Sequence, residues 1–199
     1  MRENLMKAAL GEAFRVDRRQ FFRLGVLAAL AGVAPRAFAK LDPTKTPSHA
    51  KKGERDLRFY HTHTGESLRV VYWENGKYLS ESLTEVNHLL RDFRTDEVKP
   101  ITPALLDLLH RVQKGLGTRE AFHVISAYRS PTTNEMLNKT TSGVANHSLH
   151  MDGLAIDVRV PGRDLRQLQK AALAQKAGGV GYYPSSQFVH LDIGRVRHW

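Results

Sequence analysis

The sequence predicts an α+β domain, an antiparallel β-sheet with helices gathered on one side. Three observations lead there. Short runs rich in β-branched and aromatic residues, such as Leu68 to Trp73 and Phe188 to Ile193, read as strands. Two stretches, Val86 to Phe93 and Leu105 to Val112, carry apolar residues at helical spacing. The order of these segments along the chain gives a sheet and a helical layer packed on it.

The first 39 residues read as a targeting segment and stand outside the fold. Asp17-Arg18-Arg19-Gln20-Phe21-Phe22-Arg23 resembles a twin-arginine signal, although Ser or Thr is commoner where Asp17 stands. Leu24 to Ala34 is moderately apolar and too short for a stable membrane anchor. Ala37-Phe38-Ala39 is a small-x-small processing site, which predicts a mature start at Lys40. Arg36, just before it, suits a twin-arginine signal. These features imply passage through the twin-arginine translocase to the periplasm, with no stable membrane anchor afterwards. A retained amphipathic helix is the competing reading.

Lys40 to Arg55, rich in Lys, Pro, Thr and Ser, reads as a linker, leaving residues 56–199 for the folded domain. Leu57 to Tyr60, Leu68 to Trp73 and Lys77 to Leu79 read as strands, with turns at Thr64-Gly65 and Glu74-Asn75-Gly76. Ser82-x-x-Glu85 is a capping-box pattern ahead of Val86, Leu89, Leu90 and Phe93. Thr102-Pro103 opens a second helix with the stripe Leu105, Leu106, Leu108, Leu109 and Val112, ended by Gly115 and Gly117. Phe122 to Ala127 reads as a strand. Asp164 caps a third helix reaching Lys176, and Gly178-Gly179 starts the last pair of strands.

Composition sets the bounds. A chain of 199 residues with 41% hydrophobic content supports one core. With no cysteine, neither a disulfide nor a thiolate metal site is available. The formal net charge is +10, of which +4 lies in residues 1–39. The remaining basic residues are scattered without interleaved aromatics, so mild attraction to an anionic wall accounts for them and no nucleic-acid partner is expected.

The chemistry sits in Ser148-Leu-His150-Met-Asp-Gly153-Leu-Ala-Ile-Asp157 and Phe188-Val-His190-Leu-Asp192. Imidazole nitrogen and carboxylate oxygen without thiolate suit Zn²⁺ held by three protein ligands, with a fourth position open to water. Gly153 is the turn residue between His150 and the apolar run Leu154 to Val160, which reads as a strand presenting Asp157. Phe188, His190 and Asp192 alternate onto one face of another strand. If the two strands are neighbours, Asp157 and His190 meet across them and His150 reaches in from the loop. His150, Asp157 and His190 are therefore the expected ligands of one Zn²⁺ in a zinc hydrolase. An ordinary core holding polar residues is the bland alternative. Three such groups with a glycine-assisted turn weigh against it.

These motifs resemble the zinc D,D-peptidases of bacterial cell walls. That superfamily includes VanX-type dipeptidases and shares its fold with the hedgehog signalling domain. The likeness is closer to the YcbK-like (MepK-like) murein endopeptidases. His61-Thr-His63-Thr-Gly65-Glu66, Ser126-Ala-Tyr128-Arg129-Ser130, Gly178-Gly-Val-Gly-Tyr-Tyr-Pro184 and Arg197-His198-Trp199 also carry it, over roughly residues 55–199. The resemblance implies a peptidoglycan hydrolase cutting peptide cross-links, with peptide stems as substrate. It also implies that Arg129 faces a substrate carboxylate, for which a planar guanidinium fork is suited. Ser148 is expected either to bond the same end of the substrate or to form the turn.

Two departures from the wider superfamily bear on the base. Phe188 stands where many members carry a histidine, and Gln187 where others carry an acid. Asp192 is then a candidate base, or else a carboxylate orienting a ligand imidazole. His198 is an alternative acid/base. His61 and His63 form a second pair with metal-like spacing, read as structural or rim residues. Carboxypeptidase action on D,D or L,D links, or a zinc-containing wall-binding module without turnover, are the alternative functions.

Overall fold

The structure is a computed structural model and describes residues 53–140 and 145–199. The expected signal segment and nearly all of the expected linker lie outside the described residues. The eight strands are β1 (Glu54–His61), β2 (Ser67–Glu74), β3 (Lys77–Tyr78), β4 (Phe122–Ser126), β5 (Ala155–Arg159), β6 (Gly179–Tyr183), β7 (Phe188–Asp192) and β8 (Arg197–His198). The helices are α1 (Ser80–Leu89), α2 (Pro103–Gly115), α3 (Pro131–Thr140) and α4 (Leu165–Leu173). One sheet runs β3-β2-β1-β4-β5-β7-β6-β8. It is mostly antiparallel, as expected, but β1–β4 and β6–β8 pair in parallel. Parallel pairing needs a crossover, and α1 and α2 supply it between β1 and β4.

Alternation along the strands separates two faces. Leu57 and Phe59 of β1, Val124 of β4, Ile156 and Val158 of β5, and Val189 and Leu191 of β7 are buried in the core. The stripe Leu105, Leu106, Leu109 and Val112 of α2 is buried in the same cluster. Each such side chain contributes roughly 1.5–3 kcal/mol by leaving water. The opposite face is the one that carries Asp157 and His190.

Several boundaries differ from expectation for physical reasons. β1 begins at Glu54, inside the stretch read as linker, and Arg55 pairs with Asp107 at 2.6 Å. The capping box at Ser82 and Glu85 does not form: α1 begins at Ser80, with Leu79 at its N-cap and no side-chain cap bond. α1 also stops at Leu89, short of Phe93. Asp92 instead accepts hydrogen bonds from Ser130 N (2.9 Å) and Ser130 Oγ (2.7 Å), which ties the following turn to the end of β4. The capping box at Asp164 does form, with Gln167 reciprocating, although α4 ends at Leu173 rather than Lys176. α3 was not expected, because its sequence has little apolar periodicity; Ser130 Oγ accepts from Thr133 N at 3.2 Å and Pro131 opens it.

Candidate metal centre

Strand register brings the candidate ligands together. Asp157 pairs directly with His190 across β5 and β7. Because Ile156, Val158, Val189 and Leu191 fill the core, these two side chains must point to the other face. His150 arrives on a short 3-10 turn, Leu149–Asp152, and is buried. Gly153 ends that turn at φ 67°, and a Cβ there would lie 2.4 Å from the Pro100 carbonyl oxygen. Both the left-handed backbone and the close approach demand glycine. Ser148 Oγ accepts from His150 N at 3.4 Å, so it acts here as the cap of the turn.

The three groups offer ligand atoms that all lie within 4.8 Å of one another. His150 Nδ1 lies 2.7 Å from the Ala127 carbonyl, which can only accept, so Nδ1 carries the proton and Nε2 faces inward bare. His150 Nε2 is 3.2 Å from His190 Nδ1 and 3.4 Å from Asp157 Oδ1. His190 Nδ1 is 2.8 Å from Asp157 Oδ1, and its Nε2 is 3.0 Å from Asp192 Oδ2. Burial pulls the His190 pKa down, but hydrogen bonds to Asp157 and Asp192 outweigh it and carry the value up to about 9. For Asp157, burial pushes upward, yet the two imidazoles hold it far below the usual carboxylate range. The centre therefore favours positive charge between its donors, and the donor set fits a divalent metal of the zinc type.

Asp192 is not placed as a base. It is fully buried, and Oδ1 accepts from Gly179 N (2.9 Å), Gly194 N (2.8 Å) and Arg197 Nη1 (3.1 Å). Oδ2 takes His190 Nε2 and, at 2.7 Å, Arg197 Nη2. With both oxygens engaged on the far side of the ring, its geometry is that of a residue orienting His190. His198 is not brought to the centre. In the β6–β8 register Gly179 pairs with Arg197 and Val180 with His198. Val180 belongs to the core face, so His198 is exposed on the side away from His190 while Arg197 reaches Asp192.

Arg129 lies beside the centre. Its backbone N donates to the His150 carbonyl at 3.2 Å, and Nη1 reaches Asn134 Oδ1 at 3.3 Å. Its Nε is buried with no partner among the described residues. Burial lowers its pKa, partly offset by the charge of Asp157. The buried ion-pair and hydrogen-bond supports, namely Arg197 on Asp192, Asp92 on Ser130 and Asn134 beside Arg129, were not singled out from the sequence. Ser130 and the Arg197-His198-Trp199 tail carried a hint, through their place in the resemblance.

The other histidine pair lies elsewhere. His61 pairs with Val124, which pairs with Val158, so His61 points to the core face. Its Nδ1 accepts from His63 N (3.3 Å) and Thr64 N (3.4 Å), while Nε2 is buried without a hydrogen-bond partner among the described residues. His63 stacks on Phe93 at 4.1 Å. No carboxylate joins the pair into a ligand cluster among the described residues.

Comparison with known proteins agrees with this geometry. A family model described as peptidoglycan L,D-endopeptidase MepK matches residues 49–199. The peptidoglycan L,D-endopeptidase MepK of Escherichia coli K12 is 42% identical over 189 residues, covering 94% of this chain and 100% of the relative. A protein named probable peptidoglycan L,D-endopeptidase MepK from Haemophilus influenzae is 35% identical over 184 residues, covering 92% of this chain and 95% of the relative. No solved structure matches.

Proposed function

The chain belongs to the peptidoglycan L,D-endopeptidase MepK family, and we propose that it is a zinc-dependent murein endopeptidase cutting L,D peptide cross-links in the periplasm. The observation that carries this reading is the convergence of His150 Nε2, His190 Nδ1 and an Asp157 oxygen within 4.8 Å, with the outer nitrogens tied back by Ala127 and Asp192. His150, Asp157 and His190 would hold the metal. When bound, zinc supplies Lewis acidity that polarises a carbonyl and acidifies water.

The protein's own residues supply the rest. Asp192, locked by Arg197 and two backbone N–H groups, fixes the His190 ring and keeps its proton on Nε2. Arg129, with an unpartnered buried Nε, presents a fork for a stem-peptide carboxylate. The twin-arginine segment would carry the chain to its polymer. The test is digestion of purified sacculi and defined muropeptides with and without chelator. L,D-cross-linked dimers should fall to monomers only with metal present. Release of a terminal D-alanine from uncross-linked stems alone would instead make the protein a carboxypeptidase. Binding without any cleavage would make it a wall-binding module.

A further inference from the structure

Arg159 stands where a peptide leaving the centre would pass. It follows Asp157 by two residues on β5, so it shares the open face and lies about 7 Å along the strand. Arg129 lies the other way. Ser126 pairs with Asp157, and the chain beyond Ser126 runs away from Arg159 until Arg129 N meets the His150 carbonyl. The centre is thus flanked along the strand direction by one arginine on each side.

At the end of the sheet Arg159 also borders a cleft of about 480 Å³, lined from the open face by His123 and Arg159 and from the helix-covered side by Val160 and Tyr182. That volume suits several residues of an extended peptide. Arg159 is exposed and lies opposite His123 in the β4–β5 register. The carboxylate in the lining, Asp164, already caps α4 by accepting from Arg166 N at 2.6 Å. The lining thus carries two guanidinium groups, Arg159 and Arg163, against the one carboxylate of Asp164, with Arg163 turned to the Gly117 carbonyl at 3.3 Å and Arg159 facing solvent.

A cross-link joins two peptide stems, each bearing carboxylates, and an enzyme that cuts between them needs a grip on both sides. A carboxypeptidase needs only one. We propose that Arg159 and the adjoining cleft bind the second stem of a cross-linked substrate through its carboxylate, while Arg129 takes the first. This deepens the endopeptidase reading and rests on it for the identity of the ligand.

The experiment compares wild type, Arg159→Gln and Arg159→Lys by calorimetric titration with a defined cross-linked muropeptide dimer and with the uncross-linked monomer. Chelator-treated protein is used so that nothing is cleaved, and KM and kcat for the dimer are then measured with zinc restored. Arg159→Gln should weaken dimer binding and raise KM roughly tenfold, the loss expected for one charge-assisted hydrogen-bonded contact. Monomer affinity should stay at the wild-type value, kcat should change far less than KM, and Arg159→Lys should recover part of the loss. Unchanged dimer affinity and KM in Arg159→Gln, or equal weakening for monomer and dimer, would overturn the proposal. The two readings fail separately. Tight dimer binding that depends on Arg159 without any cleavage removes the endopeptidase reading alone. Cleavage indifferent to Arg159 removes this one alone.

Discussion

Each histidine pair of this protein holds a buried imidazole, His61 in one and His190 in the other, yet the two have opposite chemistry. His61 loses water and gains no carboxylate, and burial drives its pKa down to about 4. His190 is also buried, but Asp157 and Asp192 lie on its two ring nitrogens and the value rises to about 9. By spacing alone His61 and His63 also suit a metal. What separates them is the sheet face: His61 points into the helix-covered core, and His190 points to the face shared with Asp157. A metal site needs convergent donors with anionic charge, not merely adjacent imidazoles.

The contrast breaks most severely at the ligands. His150→Ala and Asp157→Ala should each abolish cross-link cleavage, by roughly 10³-fold or more, since each removes one of three donors to the group that polarises the substrate. Muropeptide analysis of digested sacculi reads this directly. Retained cleavage in either variant would mean that the chemistry lies elsewhere.

The His61 side of the comparison is a statement about stability and pH. Its folded pKa is about 4 against 6.5 for the free side chain, so the unfolded chain binds the extra proton between those values. The contribution is fully present above pH 6.5 and is lost as pH falls toward 4, by up to about 3 kcal/mol. Denaturant melts of wild type and His61→Phe across that range should show a shallower pH slope in the variant. Identical slopes would mean that His61 is not held neutral.

Asp192 sharpens the comparison with a smaller effect. Asp192→Asn should weaken metal affinity about 10–100-fold by loosening the His190 ring, as expected for a carboxylate behind a metal-binding histidine. Competition with a chelating dye measures it. Intact affinity with lost turnover would restore Asp192 as the base.

How much was legible in the sequence follows the range of the interactions. Periodicity within β5 and β7 put Asp157 and His190 on strand faces, and Gly153 marked the turn that delivers His150, because these are local patterns. The resemblance supplied Arg129. The parallel β1–β4 and β6–β8 pairings were not legible, since they join segments distant in sequence. The placement of His198 was hidden for the same reason. A one-residue register in an edge strand decides which of Arg197 and His198 faces the centre, and nothing local sets it. The sequence leaves Asp192 open between base and orienting carboxylate and does not mark Asp92, since both depend on partners up to 38 residues away. α3 was hidden by its polar surface.

The central claim is that one pair of histidines, with its carboxylate, holds the metal and the other does not. Elemental analysis of purified wild type, His190→Ala and His61→Ala tests it most directly. The account predicts one zinc per chain in wild type and in His61→Ala, and loss of the metal in His190→Ala. Metal lost from His61→Ala and kept in His190→Ala would contradict it.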